Sequence, residues 1–139
     1  MPLHLIKLAV GVGDLAELAR VEKERRRERG RYGFFTRNMP KRVDELLDGG
    51  SIFWVIKGQV RVRQLLKRFH PMADEQGRGF VIVEYNRILV PVRPRRYRPF
   101  QGWRYLDDAN APADLPKGAK GDDELPDALA DELRELGLL

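Results

Sequence analysis

Ser51-Ile52-Phe53-Trp54-Val55-Ile56-Lys57-Gly58-Gln59-Val60-Arg61-Val62-Arg63-Gln64-Leu65 is the stretch that decides the fold. Residues 51–57 are rich in β-branched and aromatic types, as a buried strand requires. Lys57-Gly58 suits a tight turn. From Gln59 the chain alternates strictly, valines on one side and arginines on the other, so a second strand faces the core with its valines. The pair reads as a β-hairpin.

Working outward from the hairpin, 66–79 reads as a loop anchored by Phe69. Phe80 to Tyr85 and Ile88 to Val92 read as a further strand pair turning at Asn86, with Pro91 and Pro94 confining the second strand to an edge or to its ends. Phe100 to Leu106 reads as the last strand. Upstream, Leu3 to Val10 is an imperfectly alternating strand ended by Gly11-Val12-Gly13. Asp14 is a good N-cap, and Leu15, Leu18, Ala19 and Glu22 follow at helical spacing, which predicts a helix from 14 to about 29 ending at Gly30. Its second half, Glu22 to Arg29, has no apolar stripe and must face solvent, fray, or dock on something charged. Tyr32 to Arg37 is an aromatic loop or short strand. Asn38 is expected to cap a short helix with Pro40 near its start and Val43, Leu46 and Leu47 inward, stopped at Asp48-Gly49-Gly50.

The expectation is one α+β domain over 1–106. It consists of a small, mostly antiparallel, barrel-like sheet of five or six strands with two N-terminal helices. An acidic linker rich in Pro, Gly and Ala follows over 107–125. An amphipathic C-terminal helix over 126–137 carries Leu129, Leu133 and Leu136 on one face. A chain of 139 residues, 42% of them hydrophobic, can bury one real core. It has no cysteine, which excludes a disulfide scaffold, a thiolate metal site and a cysteine nucleophile. Ile52 to Ile56 is the longest apolar run, too short to span a bilayer, and Lys7 interrupts the N-terminal one, so no membrane role and a cytoplasmic location are expected.

Charge is unevenly divided. The formal net charge is +5, made of +12 over residues 1–104 and −7 over residues 105–139. A basic body suits an anionic partner. Arg93 to Tyr105 concentrates the effect, with arginines at 93, 95, 96, 98 and 104, rings at Tyr97, Phe100, Trp103 and Tyr105, and no acid. Arginines neutralise phosphates, and rings offer stacking platforms for unpaired bases. Arg93, Arg95, Arg96, Arg98 and Arg104 are therefore the candidate phosphate contacts, with Tyr97 and Tyr105 as candidate stackers. Arg37, Lys41 and Arg42 extend the patch from the start of the expected short helix.

Other chemistry is thinly represented. Gly11-Val12-Gly13-Asp14-Leu15-Ala16 has the spacing of a dinucleotide fingerprint, but a charged run follows instead of a second strand ending in an acid. Ser51 is the only serine and Thr36 the only threonine. His4 and His70 stand far apart in a chain without cysteine. Neither a metal site nor a cofactor is expected.

Three stretches carry a family resemblance: Leu3-His4-Leu5-Ile6-Lys7-Leu8; Met39 to Ser51 with Trp54-Val55-Ile56-Lys57-Gly58 and Arg63-Gln64; and Pro94-Arg95-Arg96 with Pro99-Phe100-Gln101-Gly102-Trp103-Arg104-Tyr105-Leu106. Over roughly residues 1–116 they are similar to short bacterial proteins, mostly alphaproteobacterial, of domain of unknown function 1489. That resemblance implies no activity. The architecture also resembles the PUA and ASCH group of small barrels, which implies RNA binding. By the same resemblance, an ASCH-like amidohydrolase acting on a nucleoside-like substrate would use Thr36, Lys41 and Glu45. The leading expectation is an anionic-ligand or RNA-binding module rather than an enzyme. A protein-interaction domain using the Leu129/Leu133/Leu136 face is a third reading.

Overall fold

The deciding hairpin folds as its sequence predicts. In a computed structural model, which describes residues 2–98 and 100–116, strand β3 (Ser51–Ile56) is buried at every position. Ile52, Trp54 and Ile56 point into one apolar cluster, while Phe53 and Val55 point into another. Lys57 (φ 49°) and Gly58 (φ 77°) both adopt the left-handed region, which a two-residue turn between twisted strands requires. Strand β4 (Gln59–Ala73) returns antiparallel, with Val60, Val62, Gln64 and Leu66 buried.

Strand β1 (Leu3–Leu8) lies parallel to β3, and β7 (Trp103–Asp107) runs antiparallel to β1. Beyond β4 come β5 (Gly79–Tyr85) and the short edge strand β2 (Gly33–Thr36), while β6 (Val90–Arg96) also pairs with β4. Two expectations fail here. Residues 66–73 are not loop but the second half of β4, because β5 supplies the ladder that local sequence cannot show. Pro71 is tolerated there because this half of β4 has a strand on one side only. Nor do β5 and β6 pair with each other; both pair with β4, whose β6 ladder covers Gln59 to Arg63 and whose β5 ladder begins at Leu66.

Strands β6-β4-β3-β1-β7 form a run whose two ends, β6 and β7, line one and the same cleft. The run curls until its edges face each other, but no ladder joins them. This corrects the PUA- or ASCH-like barrel: the sheet does not close. Pro91 and Pro94 remove donors from β6, and the chain beyond β7 takes the place at its edge. That chain makes a 3-10 turn (Asp108–Asn110) and then bridges Asp114 to Val92. The Arg93 N–H donates to the Ala113 carbonyl (2.8 Å), and the Leu115 N–H to that of Pro91 (3.0 Å). The described part of the expected linker is thus a strap laid along the body.

Helix α1 (Leu15–Arg29) matches its expected bounds. The Asp14 side chain accepts from the Glu17 N–H, and Gly30 closes the helix with φ 78°. Leu15, Leu18 and Ala19 pack on the β3 face that carries Trp54. The second helix shrinks to a single turn, α2 (Val43–Leu46), begun by Arg42 and not by Asn38, with only Leu46 buried. The expected C-terminal helix, 126–137, lies outside the described residues. No helix among the described residues is long and apolar enough to cross a membrane.

Polar groups inside the core are matched. Trp54 Nε1–H donates to Gln64 Oε1 (2.8 Å), and Gln64 Nε2–H to the Asn86 carbonyl (3.0 Å). Glu22 is 2% exposed, and the Tyr85 hydroxyl lies 2.8 and 2.9 Å from its two carboxylate oxygens. Burial pushes the Glu22 carboxyl up to about 7, against the opposing pulls of Tyr85, Arg25 and Arg29. Burial also raises the Tyr85 phenol, and the Glu22 charge adds to this.

The folded Glu22 carboxyl binds its proton more tightly than the unfolded one. Its stabilisation is therefore complete below about pH 4.5 and declines as pH rises to about 7. Glu22→Gln should remove that decline. Urea titrations of both proteins between about pH 4.5 and 8 check it, the wild type losing about 3 kcal/mol more than the variant across the window.

Candidate functional site

The open seam of the curled sheet is a cleft of about 440 Å³. Arg95, Arg96, Tyr97 and Arg98 form one wall at the end of β6. Arg104, Tyr105, Leu106 and Asp107 of β7 form the other, and Asn110 and Pro112 of the strap close one side. Six residues expected from sequence thus meet here: Arg95, Arg96, Tyr97, Arg98, Arg104 and Tyr105. Alternation along β7 puts Arg104 on the face of Leu106 and Tyr105 on the other, beside Trp103, while Val92, Phe100 and Leu106 form the apolar cluster beneath the cleft.

The cations in the cleft are not equivalent. Arg95 Nη1–H donates to the Asn110 carbonyl (2.7 Å), which ties one wall to the strap. The Arg104 guanidinium lies 4.8 Å over the Phe100 ring, and Tyr97 meets the same ring edge-on. Among the described residues, Arg96, Arg98 and Arg104 have no carboxylate within ion-pairing distance. Asp107 is the one acid in the lining.

The second expected segment reaches the cleft through Tyr105. The Tyr105 hydroxyl accepts from the backbone N–H of Lys41 (2.9 Å) and of Arg42 (3.3 Å). The Arg42 guanidinium sits 5.6 Å over the Tyr105 ring, while Trp103 packs edge-on against it. Tyr105 is therefore a strut between two segments as much as a stacking platform. Arg42 is itself paired with Glu45, which holds the exposed Glu45 carboxyl below its usual range. Arg37 lies elsewhere, paired with Asp74 (3.0 Å) and bonded to the Gly79 carbonyl. Arg93 is exposed and does not line the cleft.

Thr36, Lys41 and Glu45 share no hydrogen bond. Thr36 Oγ1 accepts from Trp103 Nε1–H (3.2 Å) and the Asn38 N–H (3.1 Å). It lines a small cleft with Phe35, Arg37, Asp74 and Phe80, away from the other two. Glu45 is taken up by Arg42, and Lys41 meets Tyr105 through its backbone.

A third arrangement escaped the sequence reading. His4 is 5% exposed; its Nδ1 accepts from the Ser51 N–H (3.0 Å) and its Nε2 contacts Asp108 (2.7 Å). Arg63 holds Asp114 through two bonds of 2.7 Å and donates to Ser51 Oγ (3.0 Å). Ser, His and Asp are together, but the His4 acceptor faces the Ser51 backbone and not its hydroxyl, so the geometry of an activated nucleophile is missing. These contacts instead clamp both ends of the strap. No local pattern announces them, since Asp108 and Asp114 stand within a stretch that reads as linker. Among the described residues no group of three His, Cys, Asp or Glu side chains is placed to hold a metal ion.

Residues 5–139 match the model of a family described as protein of unknown function, DUF1489. The chain belongs to that family. The match runs to Leu139, so the acidic end is part of the family's pattern and does not stand outside it. No curated protein and no solved structure matches the chain.

Asp114→Asn should loosen the strap. Hydrogen exchange at the Leu115 and Arg93 amides, which bond across strap and β6, is expected to quicken by about tenfold, the equivalent of one charged hydrogen bond weakened by roughly 1.4 kcal/mol. Exchange of the β3 amides should stay unchanged; equal acceleration there would mean a global effect.

Proposed function

We propose that this protein binds an anionic ligand, RNA, in the seam cleft. Arg96, Arg98 and Arg104, drawn from opposite walls of one hollow and without a carboxylate partner among the described residues, carry this reading. A guanidinium offers a planar fork that fits phosphate oxygens. Tyr97, half-buried at the rim, supplies a ring for an unpaired base. Arg95 is a positioning residue, since its bond to Asn110 fixes the wall. The Lys41 backbone N–H bonds to the Tyr105 hydroxyl, which brings the Lys41 segment next to the cleft. The reading takes the protein to act in the cytoplasm.

Titration of a single-stranded RNA oligomer at several salt concentrations tests it. Three phosphate contacts predict a slope of log K against log salt of about −2. Arg96→Gln with Arg104→Gln should bring the slope to about −0.7 and weaken binding at low salt. Absence of binding at low salt, or affinity indifferent to salt, would overturn the proposal.

A further inference from the structure

The charged second half of α1 has no apolar face to bury, yet it forms regular helix. Only Glu22 of it is buried, while Arg26 stands beside a second cleft of about 420 Å³. We propose that this cleft, between the C-terminal end of α1 and the β4–β5 ladder, is a separate site for a phosphoryl group held by Arg26, Arg31 and Arg87. The site does not depend on the seam cleft, with which it shares no lining residue.

Three observations support it. Cations converge from segments distant in the chain: Arg26 on α1, Arg31 just past it, Lys67 on β4, and Arg87 beyond β5. The one acid in the lining, Glu84, is already satisfied. His70 Nε2 lies 2.7 Å and Lys67 Nζ 3.8 Å from its carboxylate, and these neighbours hold the carboxyl below its usual range. Finally, Arg31 is half-buried, and among the described residues its side chain has neither a hydrogen bond nor an ion pair. Glu84 feels the Arg31 charge but lies beyond ion-pairing distance of it, and a half-buried guanidinium with no direct partner favours an incoming anion.

The neighbouring groups fit a phosphoryl oxygen set. Asn86 Oδ1 accepts from the Ile88 N–H, which leaves the Asn86 amide NH₂ as a neutral donor in the lining. The C-terminal end of α1 carries negative dipole character that would repel an anion. Arg26, Arg27 and Arg29 in its last turn more than offset it. Phosphoryl oxygens can come from a free phosphate compound or from a nucleic-acid backbone, and the chemistry at the cleft is the same.

Amide spectra of the full chain separate these sources. With inorganic pyrophosphate as probe, the Gly30, Tyr32, Asn86 and Ile88 amides should shift and saturate. Arg31→Gln with Arg87→Gln should weaken that response by about tenfold or more, as expected for lost charged hydrogen bonds. Arg96→Gln with Arg104→Gln should leave it intact, so failure of the seam reading and failure of this one are distinguishable. A response to a short single-stranded RNA but not to pyrophosphate, lost in the Arg31/Arg87 variant, assigns the oxygens to a nucleic-acid backbone. The site is overturned if neither probe moves these amides, if the Arg31/Arg87 variant responds as the wild type does, or if sodium chloride of matched ionic strength gives the same shifts.

Discussion

A strand with no exposed face governs this molecule. Ser51–Ile56 is buried along its whole length, so each side of the sheet around it must be covered. One side is covered by α1, α2 and the strands β2 and β5, which enclose Trp54, Ile52 and Ile56. No helix among the described residues covers the other. There the sheet folds over onto itself, and Val60, Val92, Phe100 and Leu106 shield Phe53 and Val55. Burial of this much apolar surface is worth far more than any of the surface ion pairs.

The curl that completes the second cluster leaves a seam, and the chemistry follows from the seam. Two sheet edges that do not pair must satisfy their polar groups otherwise. On β6 the strap supplies partners, clamped by His4 to Asp108 and by Arg63 to Asp114. Beside the strap, whose Asn110 and Pro112 close one side, arginines from the end of β6 and from β7 line one hollow. Like charges gathered in this way repel, which raises the attraction for an anion that would relieve them.

How much of this was legible varies by element and for identifiable reasons. The 51–65 hairpin and α1 were readable because their signals are local: alternation, a turn needing left-handed residues, an aspartate cap and a glycine stop. Residues 66–73 were not, since a strand bearing His70-Pro71 is held by β5 and carries no strong propensity of its own. The meeting of Arg95 and Arg96 with Arg104 was guessed from one arginine-rich segment, and six of its members and neighbours do share the cleft. Arg37 and Arg42 belong to a second group of cations, at the start of the expected short helix. They fail as free cations because Asp74 and Glu45 neutralise them, a fact of packing and not of composition.

The sequence by itself determined the elements whose stabilising contacts lie within a few residues: the doubly apolar strand, its turn, the valine–arginine alternation and the capped helix. It also determined the basic excess of the body, since charge is counted without coordinates. Only the tertiary structure decided which cations have no carboxylate partner among the described residues, that the sheet curls without closing, and that residues 107–116 return as a strap. Those outcomes depend on contacts between residues such as His4 and Asp108, 104 positions apart. Local patterning carries no record of such contacts, because their energy comes from surfaces that meet only once the chain is folded.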